Sequence, residues 1–262
     1  MQHPPFDAYT PAEIAVRVET VGVTKARMAT LPTLALGILA GAFIAFGAMF
    51  YTLAITGSDL GFGPTRVLGG MVFSLGLVLV VIAGAELFTG NNLIVMAWAD
   101  GKITTGQLLR NWGLVYIANA AGAIAMAGLI AVSGTLAMKG GAVMDSAIAI
   151  AEGKVKLTYM EAFVRGVLCN MLVCLAVWLS AASRRVAGKI LAILFPITAF
   201  VALGFEHSVA NMYFLPLGAM TGAEGVTTGT IIANLVPVTL GNIVGGAVFV
   251  ALFYWVIYLR KA

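Results

Sequence analysis

The sequence predicts an all-α membrane protein with six transmembrane helices in a 3+3 inverted repeat, in which helices two and five are broken. Three observations predict this fold class: the composition, six long apolar runs, and a polar motif that occurs twice. Of the 262 residues, 61% are apolar and 10% are charged, and the mean hydropathy is +1.01. Soluble domains carry about 25% charged residues, so this composition excludes a soluble globular domain, a disordered chain and a nucleic-acid-binding protein.

The first element is an N-terminal cytoplasmic amphipathic segment, residues 1–30. Thr10 and Glu13 have the spacing of a capping box, with Pro11 at the first helical position. The helix that follows is too polar to span a bilayer, so we expect it at the membrane surface or against the base of the protein. Residues 1–10 lack the basic region and apolar core of a signal peptide, so we expect no cleavage.

Six apolar runs then form one pore domain, residues 31–262. A span needs about 20 residues, and the runs lie at 31–56, 66–97, 105–136, 157–183, 190–220 and 227–259. The two repeats are predicted at about 31–136 and 157–259. Runs two and five are longer than a span needs and contain an ionisable residue and glycines, which predicts non-helical backbone at membrane depth, sheltered by protein or by a cavity.

The repeated motif is G-x-E-x4-N, which occurs as GAELFTGN at 84–91 and as GFEHSVAN at 204–211. A weaker N-x-x-G echo begins at Asn119 and at Asn242. Three spans separate the copies, so the second copy is inverted relative to the first. Inverted repeats with paired broken helices are typical of transporters and channels, whose substrate path runs near the breaks. The alternative is a chance match in a Gly-rich chain.

Basic residues favour one side of the predicted spans. Four lie on one side (Arg66, Lys139, Lys154 and Lys156), and Arg165 lies within span four. The other ten are Arg17, Lys25, Arg27, Lys102, Arg110, Arg184, Arg185, Lys189, Arg260 and Lys261. This asymmetry predicts that both termini are cytoplasmic.

Five ionisable residues fall within the spans, where a charge costs about 2.5–3.5 kcal/mol even on the lenient insertion scale. Glu161 and Arg165 are four residues apart, so we expect them to neutralise each other. We expect Glu86 and Glu206 to accept hydrogen bonds from backbone N–H groups that the breaks leave unpaired. A proton relay is the alternative for both glutamates. The fifth residue, His207, is the candidate for handling a proton, against the alternative of a structural core histidine.

Polar residues near these positions have two interpretations each. The Thr89 hydroxyl can donate to an anion or orient the imidazole of His207, or it can cap a broken helix. Asn170 can hydrogen-bond a substrate or bridge to the central site, or it can pack helices. Lys154 and Lys156, placed in the loop before span four, can attract anions, or they can be solvated loop charges.

Signatures of catalysis and of cofactor binding are missing from the sequence. It contains no H-E-x-x-H, G-x-S-x-G or Walker motif, and one buried histidine cannot build a zinc or haem site alone. Cys169 and Cys174 are predicted to be packing residues. We predict no enzyme, no cofactor and no metal site. Glycines that let helices approach closely, or that form a dimerisation face, are Gly37, Gly41, Gly122, Gly128, Gly245 and Gly246.

Four motifs make nearly the whole chain resemble the formate/nitrite transporter family. They are GAELFTGNN (84–92), NMLVCLAVW (170–178), GFEHSVANM (204–212) and LGNIVGG (240–246), in the order and spacing of the family. The resemblance implies an aquaporin-like fold and a homopentamer in the cell (inner) membrane, with one pore in each protomer. It also implies passage of small monovalent anions or their conjugate acids: formate, nitrite, hydrosulfide, and in some members acetate or lactate.

Carried over by motif position, the resemblance assigns roles to individual residues. His207 is the central pore histidine, Thr89 its partner, Asn170 the pore-facing asparagine and Lys154 the vestibule lysine. The implied apolar constrictions are Phe73, Leu77, Leu87, Phe88 and Phe200. The implied supporting residues are Glu86, Glu206, Asn211 and Asn242. Glu86 stands where formate channels can carry Asp, and the TGNN run also differs from some formate channels, so these motifs do not choose between formate and nitrite.

These assignments lead to a hypothesis of anion transport with a proton. A bare anion entering a dry medium costs of order 20 kcal/mol, whereas a neutral acid pays far less. The anion would gather near Lys154 and be neutralised by a proton through His207 or connected water. A competing version keeps His207 charged as a static anion site. An aquaporin-like conduit for neutral solutes and a non-transporting membrane scaffold are alternatives of other classes.

Overall fold

The computed structural model describes residues 8–260. The predictions for residues 1–7 and Lys261 therefore lie outside the described residues. The described chain folds into helices, which confirms the all-α class. They are α1 (Pro11–Ala26), α2 (Thr30–Ile55), α3 (Phe62–Gly84), α4 (Val95–Ala99), α5 (Thr105–Val132), α6 (Ala142–Val155), α7 (Tyr159–Ala182), α8 (Val186–Ala202), α9 (Ser208–Met220) and α10 (Thr228–Tyr258).

Both predicted helix breaks are present. Helices α2, α3, α5, α7 and α10 are long and apolar enough to cross a membrane, whereas α8 is shorter. Helix α3 ends at Gly84, whose φ is 85°, and α8 ends just before Gly204, whose φ is 74°. A glycine in this left-handed region is a common way to end a helix. The chain resumes in a 3-10 turn at Gly90–Ile94 after the first break and in α9 after the second.

An asparagine from a neighbouring helix holds the first break. The Asn119 Oδ1 accepts a hydrogen bond from the Phe88 N–H at 2.9 Å. Its Nδ2 donates to the Gly37 and Glu86 carbonyl oxygens, both at 2.8 Å. The fully buried Asn119 side chain on α5 therefore links the backbone of the first break to the backbone of α2.

Asn242 makes the same set of bonds at the second break. Its Oδ1 accepts from the Ser208 N–H at 2.9 Å, and its Nδ2 donates to the Gly166 and Glu206 carbonyl oxygens at 2.8 and 3.0 Å. The two sets match bond for bond, so the N-x-x-G echo belongs to a true repeat. The expectation for Glu86 and Glu206 was wrong, because asparagine oxygens accept from the N–H groups of Phe88 and Ser208, and the two glutamate carboxylates are bonded to side chains.

Helix α1 packs against the base of the protein, the second of its two expected positions. The expected capping box is formed, with Thr10 and Glu13 as the pair. Lys102 binds the buried carboxylate of Glu19 and also pairs with Asp100 at 3.1 Å. The hydrogen bond to Glu19, with that to Asp100, raises the pKa of Lys102, so the lysine stays protonated.

Helix α6 is the counterpart of α1 at the opposite end of the helices. Arg110 at the start of α5 donates to the Met28 carbonyl beside the start of α2. At the other end of α2, the Thr56 hydroxyl donates to Ser146 on α6 at 2.9 Å. Lys25 and Lys154 stand in the last turns of α1 and α6. We therefore propose that the two repeats begin with α1 and α6, so that residues 11–30 belong to the first repeat.

Close helix contacts explain most of the predicted glycines. A Cβ on Gly41 or Gly122 would collide with the backbone of the facing helix, and the same holds for Gly245. Gly128 makes no close helix contact within the described residues, because a Cβ there would meet nothing within 4 Å, and the dimerisation alternative stays a prediction for it. Cys169 and Cys174 are free and buried, as a packing role requires.

Gly122→Ala should destabilise the protein. The new Cβ would meet the Ile38 carbonyl oxygen, and overpacking of this kind costs about 1–3 kcal/mol, measurable as a lower thermal unfolding midpoint in detergent. Gly128→Ala on the same helix is the matched control, and it should leave the midpoint unchanged or raise it, since alanine favours the helix. Equal shifts in both variants would contradict the packing argument.

Candidate functional site

Two cavities lie beside the two helix breaks. The first, of about 470 Å³, is named the Lys154 cavity and is lined by residues of α2, α3, α6, α7, α8, α9 and the second break. The second, of about 680 Å³, is named the Lys25 cavity and is lined by residues of α1, α2, α3, α7, α8 and the first break. Since α1 and α6 lie at opposite ends of α2, the cavities approach the breaks from opposite sides.

His207 lines the Lys154 cavity and is 3% exposed. It is the N-cap of α9, where its Nδ1 accepts a hydrogen bond from the Ala210 N–H at 3.1 Å. Its Nε2 lies 2.9 Å from the Thr89 hydroxyl oxygen. Because Nδ1 is an acceptor, the neutral imidazole carries its proton on Nε2 and donates it to Thr89. A cationic His207 would have to give up the helix cap.

Thr89 belongs to the first break and His207 to the second, so the fold joins the breaks at their centre. The hydroxyl of Thr89 accepts from His207, which leaves its own proton free to donate. The orienting role predicted for Thr89 therefore fits, whereas its side chain makes no cap hydrogen bond on the 3-10 turn that follows.

Asn170 connects the first break to the backbone of α10. Its Nδ2 donates to the Thr89 carbonyl at 3.2 Å and to the Asn242 carbonyl at 2.7 Å. Cys174, one turn further along α7, donates to the same Thr89 carbonyl at 3.3 Å. Within the described residues, the Asn170 Oδ1 has no hydrogen-bond partner. Asn170 is fully buried and lines neither cavity, so these contacts match the bridging interpretation.

Lys154 is anchored to the second break by a buried polar cluster. Its Nζ lies 3.0 Å from each carboxylate oxygen of Glu206. Asn211 donates to Glu206 at 2.6 Å and to Asn234 at 2.7 Å, and Asn234 donates to the Lys154 carbonyl. Lys154 lies in the last turn of α6 and its side chain is 14% exposed. The expected loop position was therefore wrong, since the helix extends to Val155.

Lys25 makes the equivalent cluster at the first break. Its Nζ lies 2.8 Å from the Glu86 carboxylate and 2.9 Å from the Asn91 Oδ1. Asn91 donates to Glu86 and to Asn111, and Asn111 donates to the Lys25 carbonyl. The sequence analysis missed Lys25, Asn111 and Asn234. The sequence did contain a signal for Lys25. It precedes Gly37 by the same number of residues as Lys154 precedes Gly166, so the two lysines hold equivalent positions in the repeats.

Four of the five expected constriction residues line the cavities. Phe73 and Phe200 line the Lys154 cavity with their ring centroids 5.6 Å apart, and Leu77 and Leu87 line the Lys25 cavity. Phe88 lines neither cavity. It packs edge-on against Tyr116 and Trp112 on α5.

The structure contradicts the expected Glu161–Arg165 ion pair and favours the second interpretation of Lys156, a solvated charge. Glu161 and Arg165 form no ion pair within the described residues, because the Glu161 carboxylate accepts from the Thr158 N–H and hydroxyl at the start of α7. Lys156 lines neither cavity, and its side chain is 73% exposed beside Glu152 at 3.7 Å. Across residues 8–260, no group of three His, Cys, Asp or Glu side chains is placed to share a metal ion.

Comparison with known proteins shows a match over almost the entire chain. The family model described as Formate/nitrite transporter matches residues 12–256. Formate channel FocA of Escherichia coli K12 is 42% identical, over 98% of this chain and 97% of that protein. A probable formate transporter of Methanothermobacter thermautotrophicus is 43% identical, over 96% of this chain and 98% of that protein.

Comparison with solved structures also gives matches over most of the chain. A pentameric formate channel with formate bound superposes with a TM-score of 0.82 at 41% identity, covering 88% of this chain and 98% of that one. An FNT family ion channel gives a TM-score of 0.86 at 30% identity, with 94% and 98% coverage. The fold predicted from the sequence is thereby confirmed.

Asn242→Asp should destabilise the second break. The new carboxylate can still accept from the Ser208 N–H, but it cannot donate to the Gly166 and Glu206 carbonyl oxygens. Each buried group left without its partner costs about 1–3 kcal/mol, so the thermal midpoint should fall by several degrees. Asn119→Asp, the matched change at the first break, should have a similar effect. Wild-type stability in both variants would contradict the role given to these asparagines.

Proposed function

The chain belongs to the formate/nitrite transporter family, and we propose that it carries formate together with a proton across a membrane, between the Lys25 and Lys154 cavities. The observation that carries the proposal is the His207–Thr89 pair, which joins two helix breaks, each of which lines a lysine-containing cavity. The names of the relatives favour formate as the substrate. Nitrite and hydrosulfide are the alternatives within the family, and we propose no chemistry on the substrate beyond proton transfer.

The first step of the proposal is anion capture by the lysines. An ammonium group has three N–H donors, and Lys154 uses two of them on Glu206. Lys25 likewise uses two, on Glu86 and Asn91. Each lysine therefore keeps one donor for an arriving anion, while its glutamate holds it in place.

The second step is neutralisation of the anion. A carboxylate-sized ion pays of order 20 kcal/mol to enter a dry medium, so Phe73, Phe200, Leu77 and Leu87 should stop formate and admit formic acid. The proton can come through His207 or from connected water. A relay through His207 would require Nδ1 to give up its bond from the Ala210 N–H, whereas water requires no such change. We therefore favour a proton from the bulk solution that arrives through connected water, with the free Thr89 proton donating a hydrogen bond to the passing acid.

Assembly and orientation complete the proposal. The pentameric relative supports a homopentamer in which each protomer has its own pore. The excess of Lys and Arg near the termini supports a cytoplasmic position for both of them, which would place the Lys25 cavity on the cytoplasmic side of the cell (inner) membrane.

His207→Asn should strongly reduce proton-coupled formate uptake. The shorter side chain does not reach the Thr89 hydroxyl, so the donor that meets the acid loses its orientation. Radiolabelled formate uptake and internal pH are measured in proteoliposomes under an imposed pH gradient. Thr89→Ser keeps the hydroxyl and serves as the control, with uptake within about threefold of wild type. Undiminished pH-dependent uptake by the Asn variant would overturn this mechanism. Water permeation without formate uptake by the wild type would favour a conduit for neutral solutes.

Lys154→Met should reduce both stability and uptake. The single variant leaves Glu206 buried without its partner, at a cost of about 3–5 kcal/mol. The double variant Lys154→Met/Glu206→Gln removes that charge, so its thermal midpoint should recover while formate uptake stays at least about tenfold reduced. Uptake that recovers with the midpoint would mean that Lys154 is only structural.

A further inference from the structure

The Lys154 cavity holds more positive charge than its lysine supplies. Its lining includes Arg66, Lys154 and Arg165, and Glu206 is the one carboxylate among the described lining residues. Lys154 and Glu206 form an ion pair at 3.0 Å and offset each other. The two arginines therefore leave a surplus of positive charge in the cavity.

Arg165 is the less engaged of these two arginines. It is half-buried on α7 and lines the cavity. Its guanidinium makes no hydrogen bond or ion pair with any residue from 8 to 260. The nearby Glu161 carboxylate caps α7 and interacts with the charge of Arg165 only at longer range. The Arg165 carbonyl accepts from the Glu206 N–H at 3.2 Å, which places this residue beside the second break. Because the guanidinium of Arg165 makes no hydrogen bond within the described residues, its paired N–H groups can donate to a ligand.

Arg66 is held in place from the other side of the cavity. Its Nε and Nη2 donate to the Ala202 and Val201 carbonyl oxygens, both at 3.0 Å, and its Nη1 donates to the Tyr51 hydroxyl at 3.3 Å. These partners are neutral, so the charge of Arg66 is not cancelled by them. Its role is to add a fixed positive field to the cavity.

The inverted repeat shows that Arg165 is an exception to the symmetry. The equivalent residue of the first repeat is Leu36, whose carbonyl accepts from the Glu86 N–H as that of Arg165 accepts from Glu206. Leu36 lines the Lys25 cavity. The hydrogen bond to each break therefore uses only the backbone carbonyl at this position. The repeated structure does not explain why the second repeat has an arginine side chain here.

Aromatic side chains form part of the walls of the Lys154 cavity. Tyr51, Phe73, Phe200, Phe205 and Phe214 line it, and its volume of about 470 Å³ is much larger than formate requires. A pocket of this size accepts small organic ligands. Aromatic walls with one accessible guanidinium match a ligand that combines a carboxylate with a flat apolar body.

We propose that the Lys154 cavity contains a carboxylate-binding site in which Arg165 holds the carboxylate by paired N–H bonds and Arg66 contributes its field. The site captures formate ahead of Lys154. It also binds aryl carboxylates, which are too large to pass Phe73 and Phe200 and therefore block the path from this cavity. The blocking part of the inference rests on the proposed function, whereas binding itself does not.

The test uses benzoate as the probe on the full-length protein. Calorimetric titration in detergent measures its dissociation constant, and proteoliposomes measure its inhibition of formate uptake. Arg165→Leu should weaken benzoate binding by about tenfold to a hundredfold, the effect of losing hydrogen bonds to a charged group. Arg165→Lys keeps the positive charge but lacks the paired N–H donors of a guanidinium, so it should recover only part of the affinity for benzoate. Lys156→Met removes a cation that lies outside the cavity lining and should leave binding unchanged.

The outcomes separate the two proposals. Benzoate affinity within twofold of wild type in Arg165→Leu, or no binding to the wild type, overturns the carboxylate site. Full recovery of affinity by Arg165→Lys overturns the paired hydrogen bonds. Absence of formate uptake by the wild type overturns the proposed function, and the calorimetric result still decides the site. Thermal midpoints of the three variants identify any that fail to fold.

Discussion

Backbone groups set free at two helix breaks must find hydrogen-bond partners away from water, and the rest of the structure depends on this constraint. In a membrane an unpaired N–H or C=O costs several kcal/mol. Asn119 and Asn242 each accept one N–H and donate to two carbonyls. An amide is suited to this position because it is both a donor and an acceptor. The two asparagines thus permit irregular backbone where a channel needs it.

The acidic residue of each break creates a second requirement. A buried carboxylate needs a partner, and each one receives a lysine from a helix that lies outside the three spans of its repeat. Helices α1 and α6 are therefore more than peripheral additions, because they bring Lys25 and Lys154 to the centre. In each cluster an asparagine of the break and an asparagine of a spanning helix complete the hydrogen bonds. The charges are paired but remain next to the cavities, where they can act on an ion.

The two repeats share the same hydrogen bonds at their breaks, but the residues that we propose to act on the substrate differ between them. His207 has Leu87 as its repeat equivalent, and Thr89 has Val209. One break supplies the imidazole and the other supplies the hydroxyl, so neither repeat holds the pair alone. Arg165, opposite Leu36, extends this asymmetry to the cavities. The repeat provides the support, and the differences between its copies provide the chemistry.

The sequence by itself determined the six apolar runs, their inversion and both breaks, because hydrophobic length and the G-x-E-x4-N motif are local patterns. It also offered Thr89 as a partner of His207, as one of two interpretations from the residues and as a role implied by the family resemblance. The tertiary structure alone decided which groups meet. Lys25 joins Glu86, Glu161 caps a helix and leaves Arg165 unpaired, and Phe88 packs away from both cavities. Hydrogen bonds between side chains far apart in the sequence leave no periodicity, so only the folded backbone shows them. The tautomer of His207 is of the same kind, since it is set by the Ala210 N–H that α9 presents to its ring.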